Sequence, residues 1–305
     1  MQVYLPIAEM SVPAESIFLL SAFVGVLSGI FGIGGGFLTT PFLIFSGIPP
    51  VIAVGTQGTQ LVASSVAGVL GHWEKGNVDF KMGSVMLSGG AAGTVIGILI
   101  FRMLESLGQI DFAISILYIV LLGFIGILML AESFSYLVKP KSMRREFNTK
   151  NINPFMAALP YKMRFPRSKL YISALVPAGI GFVGGMLTSI LGVGGGFMIV
   201  PAMIYILGVP SLLVAGTSLF QMIFTAAFST IMHAVFGNTV DIILALILII
   251  GGVAGAQVGI IFARHVKGIY ARVTLALIVL AVCAHMIGGL FIMPLEIFST
   301  VTGKE

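Results

Sequence analysis

Residues 16–73 form a run of 58 positions without one Asp, Glu, Lys or Arg, and residues 170–240 form a second run of 71. No soluble fold leaves stretches of that length uncharged, since ordinary globular chains carry about 25% charged residues. Here the charged share is 9% and the hydrophobic share 58% of 305 residues. That balance excludes an ordinary soluble enzyme, a disordered chain and a nucleic-acid-binding domain. The 39 glycines follow no three-residue period, which excludes collagen. The lone Cys283 excludes a disulfide framework and a Cys-ligated zinc site. The expectation is a polytopic membrane protein.

Four shorter charge-free runs, 82–101, 112–131, 242–263 and 273–295, hold 20 to 23 residues each, one bilayer crossing apiece. The two long runs are divided by Gly-rich knots at 32–36 and 192–196 and by Pro turns at 47–50 and 208–210. Ten apolar segments result, near 13–31, 37–47, 51–72, 82–101, 112–137, 170–190, 197–207, 211–236, 242–263 and 273–294. Lipid offers no water to an open sheet edge, so these segments are expected to be helices. The second and seventh are too short to cross and read as half-helices returning from the knots. The N-terminal residues lack a basic region and a small-residue cleavage site, and do not read as a signal peptide.

The net charge of +5 is first a topology signal. Lys139, Lys141, Arg144, Arg145, Lys150, Lys162, Arg164, Arg167 and Lys169 stand against Glu146 alone in segment 139–169. Such a linker is expected on the cytoplasmic side. Counting crossings outward puts Lys75, Lys81, Arg264, Lys267 and Arg272 inside too, and both termini outside; Arg102 and Lys304 are the exceptions. The linker reads as a topology determinant and secondarily as a contact for anionic lipid; nucleic acid is not an expected partner.

The chain repeats itself. FGIGGGF at 31–37 returns as LGVGGGF at 191–197, and Pro41 falls on Pro201. Gly47-Ile48-Pro49 falls on Gly208-Val209-Pro210, Gly55-Thr56 on Gly216-Thr217, and Gln60 on Gln221. His72 falls on His233, Gly76-Asn77 on Gly237-Asn238, Val78-Asp79 on Val240-Asp241, and Gly89, Gly93 and Gly97 on Gly251, Gly255 and Gly259. Five segments per copy is an odd number, so the second copy starts on the opposite side of the membrane. The expected fold is therefore an all-α polytopic membrane protein of two inverted-topology repeats, each of five helical segments with a broken half-helix. The division is 1–138 for the first repeat, 139–169 for the linker and 170–305 for the second.

The paired GxGGGF elements, each followed by a Pro at one distance and then by a G-T-[SQ] turn, resemble the sulfite exporter TauE/SafE family. The resemblance covers 16–137 and 170–294. It implies a multi-pass plasma-membrane transporter of small sulfur-containing anions such as sulfite or organosulfonates.

Gly34, Gly35, Gly36, Gly194, Gly195 and Gly196 open the two short helices. A helix start offers unpaired N–H groups and the positive end of the dipole, which together suit an anion without a buried cation. The competing reading is a tight helix–helix turn. Thr56, Gln57 and Gln60, matched by Thr217, Ser218 and Gln221, could donate to oxyanion oxygens, bridge to the knots, or bond between helices. His72 and His233 could gate or carry a proton, but read better as polar anchors near segment ends; His285 reads as a satisfied core histidine. Asp79 and Asp241 read as helix caps, and the glycine ladders as close-packing seams. No cofactor and no metal site is expected.

These residues favour a secondary transporter or facilitator working by alternating access, as a monomer or a homodimer. Export of an anion would run with an inside-negative potential, whereas import would need a coupling ion. A membrane enzyme built on His72, His233 and His285 would need acid partners and closer spacing. A non-transporting membrane subunit would leave the repeat unexplained.

Overall fold

The computed structural model describes residues 2–31, 34–138, 160–262 and 268–291. The linker positions Lys139, Lys141, Arg144, Arg145, Glu146 and Lys150, the knot residues Gly32 and Ile33, and Arg264, Lys267 and Lys304 lie outside the described residues.

The chain opens with a two-stranded antiparallel hairpin, β1 (Gln2–Leu5) and β2 (Met10–Pro13), in which Leu5 pairs with Met10. Five helices follow: α1 (Ala14–Phe31), α2 (Gly36–Phe45), α3 (Pro50–Glu74), α4 (Phe80–Ser106) and α5 (Ile110–Val138). A second hairpin, β3 (Lys162–Phe165) and β4 (Leu170–Ser173), repeats the register with Phe165 opposite Leu170. Then come α6 (Leu175–Leu191), α7 (Gly196–Tyr205), α8 (Ser211–Met232) with a π-helical turn at His233–Gly237, α9 (Ile242–Phe262) and α10 (Gly268–Phe291).

The helical expectation holds, and the two short helices stand where the knots place them. At ten residues each they are about 15 Å long, half a bilayer. Among the described residues, four helices are long and apolar enough to cross a membrane: Phe80–Ser106, Ile110–Ala131, Leu213–Gly237 and Ile242–Phe262.

The hairpins are the departure from the all-helical reading. Each strand has four residues, too few for alternation to show against an apolar background. The turns carry Pro6 and Pro166 and place Glu9 and Lys169 at positive φ (51° and 52°) without a glycine to announce it. Leu5 and Val12 are buried under the first hairpin, Phe165, Leu170 and Ile172 under the second. Residue 170, where the second repeat is expected to start, opens β4, and Lys162, Arg164, Arg167 and Lys169 lie within the second hairpin.

The two halves interlock by exchanging partners. α1 lies along α9, and α6 along α4; α3 crosses α8, and α5 lies on α10. The glycine ladders make these contacts possible. A Cβ on Gly89 or Gly93 would collide with the carbonyl of Ala178 or Phe182 on α6, and one on Gly255 or Gly259 with the carbonyl of Ala22 or Val26 on α1. Removing the side chain lets backbones touch, which is how apolar helices pack when lipid and protein are equally apolar.

Candidate functional site

The two broken helices meet nose to nose. Phe37, in the first turn of α2, stacks on Phe197 of α7 with ring centroids 4.2 Å apart and planes 4° from parallel. A Cβ on Gly36 would stand 2.8 Å from the Gly192 carbonyl oxygen of the opposite knot. The sequence cannot reveal this, because 160 residues separate the partners. Two helix N-termini, each with amides that have no preceding turn to bond to, therefore converge on one region.

Gly34 and Gly194 take φ of +67° and +79°, a conformation that a side chain disfavours. Both also lack room. A Cβ on Gly34 would stand 2.6 Å from Met222 Sδ, and one on Gly194 would stand 2.9 Å from both Met222 Sδ and Leu61 Cδ1. Leu61 of α3 and Met222 of α8 are fully buried and cover the knots from both sides. Sequence reasoning missed them as apolar filler; the repeat alignment, which carries Gln60 onto Gln221, would have paired them. Gly35 packs on Val24 and Ser28 of α1, and Gly195 on Gly184 of α6. Gly196 is buried at the first turn of α7.

The polar residues of α3 and α8 separate into two groups. Thr56 and Thr217 hold caps of the opposite half. Thr56 Oγ1 accepts the Asp241 N–H at 3.0 Å, and Thr217 Oγ1 accepts the Asp79 N–H at 3.0 Å. The cap reading of both aspartates holds: Asp79 Oδ1 accepts from Met82 N–H, and Asp241 Oδ1 from the Ile243 and Leu244 N–H groups.

The glutamines form the second group. Ser21 Oγ donates to the Leu248 carbonyl at 2.7 Å, so it can only accept from Gln60 Nε2, at 3.0 Å. Gln60 Oε1 then accepts from Gln57 Nε2 at 2.8 Å. The chain ends at Gln57 Oε1, which is buried and meets no donor among the described residues. Ser218 turns its hydroxyl back to the Ala215 carbonyl. Gln221 is buried, with neither Oε1 nor Nε2 bonded among the described residues, and Gly181 stands where the repeat alignment puts Ser21 in the first half.

The histidines are not equivalent. His233 is buried; its Nε2 lies 2.9 Å from the Ser189 carbonyl and its ring meets Phe101 edge-on. It stands at the end of its segment, as expected, but is buried there at the start of the π-helical turn. His72 is half-buried in the last turn of α3, beside the exposed Trp73. His285 is exposed on α10, with its ring 4.4 Å from that of Phe45, rather than a core histidine. Its helix turns the neighbouring Cys283 and Met286 inward instead.

Interlocked apolar helices with two facing breaks define a multi-pass membrane protein of the transporter class. The family model described as "Sulfite exporter TauE/SafE" matches residues 17–286, and the chain belongs to that family of membrane transporters. It is 29% identical to the "Probable membrane transporter protein YjnA" of Bacillus subtilis, over 80% of this chain and 88% of that one. It is 26% identical to "Probable membrane transporter protein YunE" of the same organism, over 82% and 88%. A "Probable membrane transporter protein" of Xylella fastidiosa is 28% identical over 87% and 91%. No solved structure matches the chain.

Proposed function

We propose that this protein carries a small anion, sulfite or an organosulfonate, across the plasma membrane by alternating access between two inverted-topology repeats. The anion binds at the facing N-termini of α2 and α7. The convergence of the two knots, with Phe37 stacked on Phe197, is the observation that supports this reading most directly. Residues 16–73 and 170–240 hold no Lys or Arg, so backbone N–H groups and neutral amides must hold the charge. The exchange of partners, α1 with α9 and α6 with α4, fits two like units related by a pseudo-twofold axis in the membrane plane. In this reading the second unit begins with the hairpin at 162, the linker is cytoplasmic and both termini are external.

Export follows from the charge. A potential of 100 mV, inside negative, favours outward movement by about 2.3 kcal/mol per charge. Reconstitution in liposomes with labelled sulfite and a small sulfonate, under an imposed potential, tests the assignment. Potential-driven flux that Gly195→Leu abolishes is expected. Absence of flux for both anions with folded protein would defeat it.

A further inference from the structure

Leu248 uses its carbonyl to set the polarity of a three-residue relay that ends on α3 at Gln57. A carbonyl only accepts, so the Ser21 hydroxyl proton points to it. Gln60 must then offer Ser21 its Nε2, and Gln57 must offer Gln60 its Nε2. The last atom, Gln57 Oε1, is left as an acceptor in a fully buried position with no donor among the described residues. Gln57 lies three residues after Val54 and four before Leu61, on one face of α3. Both neighbours touch the knots: a Cβ on Gly192 would stand 3.0 Å from the Val54 carbonyl oxygen, and one on Gly36 would stand 3.0 Å from Leu61 Cδ1. Helical spacing therefore puts Gln57 on the side of α3 that carries the contacts to the converging helix starts. In the other half the Gln221 amide, unbonded among the described residues, lies against α4, where a Cβ on Gly90 would stand 2.8 Å from its Nε2.

We infer that the ligand of this site is a monoanion that carries a hydrogen-bond donor of its own, a protonated oxyanion such as hydrogensulfite or a sulfonate with a hydroxyl or ammonium group. The inference rests on the anion-transport reading above and adds the ligand's proton. Backbone amides at the knots take the anionic oxygens, and Gln57 Oε1 takes the donor. A fully deprotonated dianion offers Gln57 only acceptors, leaving a buried oxygen unpaired and facing another. Leaving one buried polar atom unmade is worth about tenfold in affinity.

Calorimetric titration of the purified full chain with hydroxyethanesulfonate and with propanesulfonate, in which a methyl replaces the hydroxyl, tests this. The two have the same charge and nearly the same shape. Hydroxyethanesulfonate is expected to bind about tenfold more tightly. Gln57→Met removes the acceptor and should level the pair. Ser21→Ala should also narrow the ratio, because it frees the Gln60 and Gln57 amides to turn over; a merely structural role for Ser21 would lower both affinities together. Sulfite binding should weaken as pH rises and the monoanion loses its proton, while hydroxyethanesulfonate binding stays level, which separates the two ligand sources. Equal affinity for the two sulfonates, or a preference that survives Gln57→Met, would overturn the inference and leave the transport reading standing. Failure of folded protein to bind either sulfonate or sulfite would overturn both.

Discussion

The carboxylate of Asp241 accepts the backbone N–H of Ile7 through Oδ2 at 3.0 Å, across 234 residues of chain. The same relationship recurs in the other half, where Asp79 Oδ2 accepts the Ser168 N–H at 3.1 Å and its hydroxyl at 2.7 Å. Each aspartate caps the fourth helix of its own half with one oxygen and holds the hairpin of the other half with the second. The hairpins are thereby fastened to the helices they do not precede. Arg167 adds a bond from Nη1 to the Gly76 carbonyl at 2.7 Å.

Removing such a clamp strands three N–H groups at once, that of Leu244 buried and those of Ile7 and Ile243 part-buried. Asp241→Ala leaves those of Ile7, Ile243 and Leu244 unpaired. A loss of about 2–4 kcal/mol is expected, read as a lower melting temperature in detergent. Unchanged melting would show that the hairpin is not held by this carboxylate.

The glycine seams predict position-specific intolerance. Gly93→Ala pushes a methyl into the Phe182 carbonyl and should cost about 1–3 kcal/mol by overpacking. Gly71→Ala on α3 meets nothing within 4 Å and should be neutral, or stabilising by up to about 1 kcal/mol through helix propensity. Equal melting temperatures for the two variants would contradict seam packing.

Gly194→Ala faces two obstacles, a φ of +79° and the Met222 and Leu61 side chains. The left-handed conformation alone costs about 1–2 kcal/mol for a residue with a Cβ. Flux should fall by more than the melting temperature suggests, because the backbone that holds the anion is displaced. Full flux in this variant would remove the second knot from the site.

Gln221 separates stability from function. Its amide is buried and unbonded among the described residues, so Gln221→Met should raise stability by about 1–2 kcal/mol. Under the anion-site reading the same change should reduce sulfite flux, since functional sites retain polar groups that folding does not favour. A variant that is both more stable and fully active would assign Gln221 no part in transport.

Much of this architecture was legible in the sequence because its causes are local. Charge-free runs of bilayer length, Gly34-Gly35-Gly36 ahead of Pro41, and Asp79 after Gly76-Asn77 each declare an element or its end. The hairpins were hidden because strands of four residues leave no pattern and their turns put Glu9 and Lys169, not glycines, at positive φ. The two histidines looked like a pair, yet His233 is buried at a π-helical turn that periodicity does not signal, while His72 is half-buried at the end of an ordinary helix.

By itself, then, the sequence determined a membrane solvent, the number of apolar segments, the repeat and the places where helices break, all of which follow from composition and short-range spacing. Tertiary structure alone decided what those pieces do to one another. It brought Phe37 onto Phe197, turned Thr56 and Thr217 toward caps, and ran the Leu248 carbonyl through Ser21 and Gln60 to leave Gln57 Oε1 unpaired among the described residues. The physical reason is that a hydrogen bond is satisfied by geometry rather than by sequence distance. Which buried polar atoms find partners is settled only when helices far apart in the chain are packed side by side.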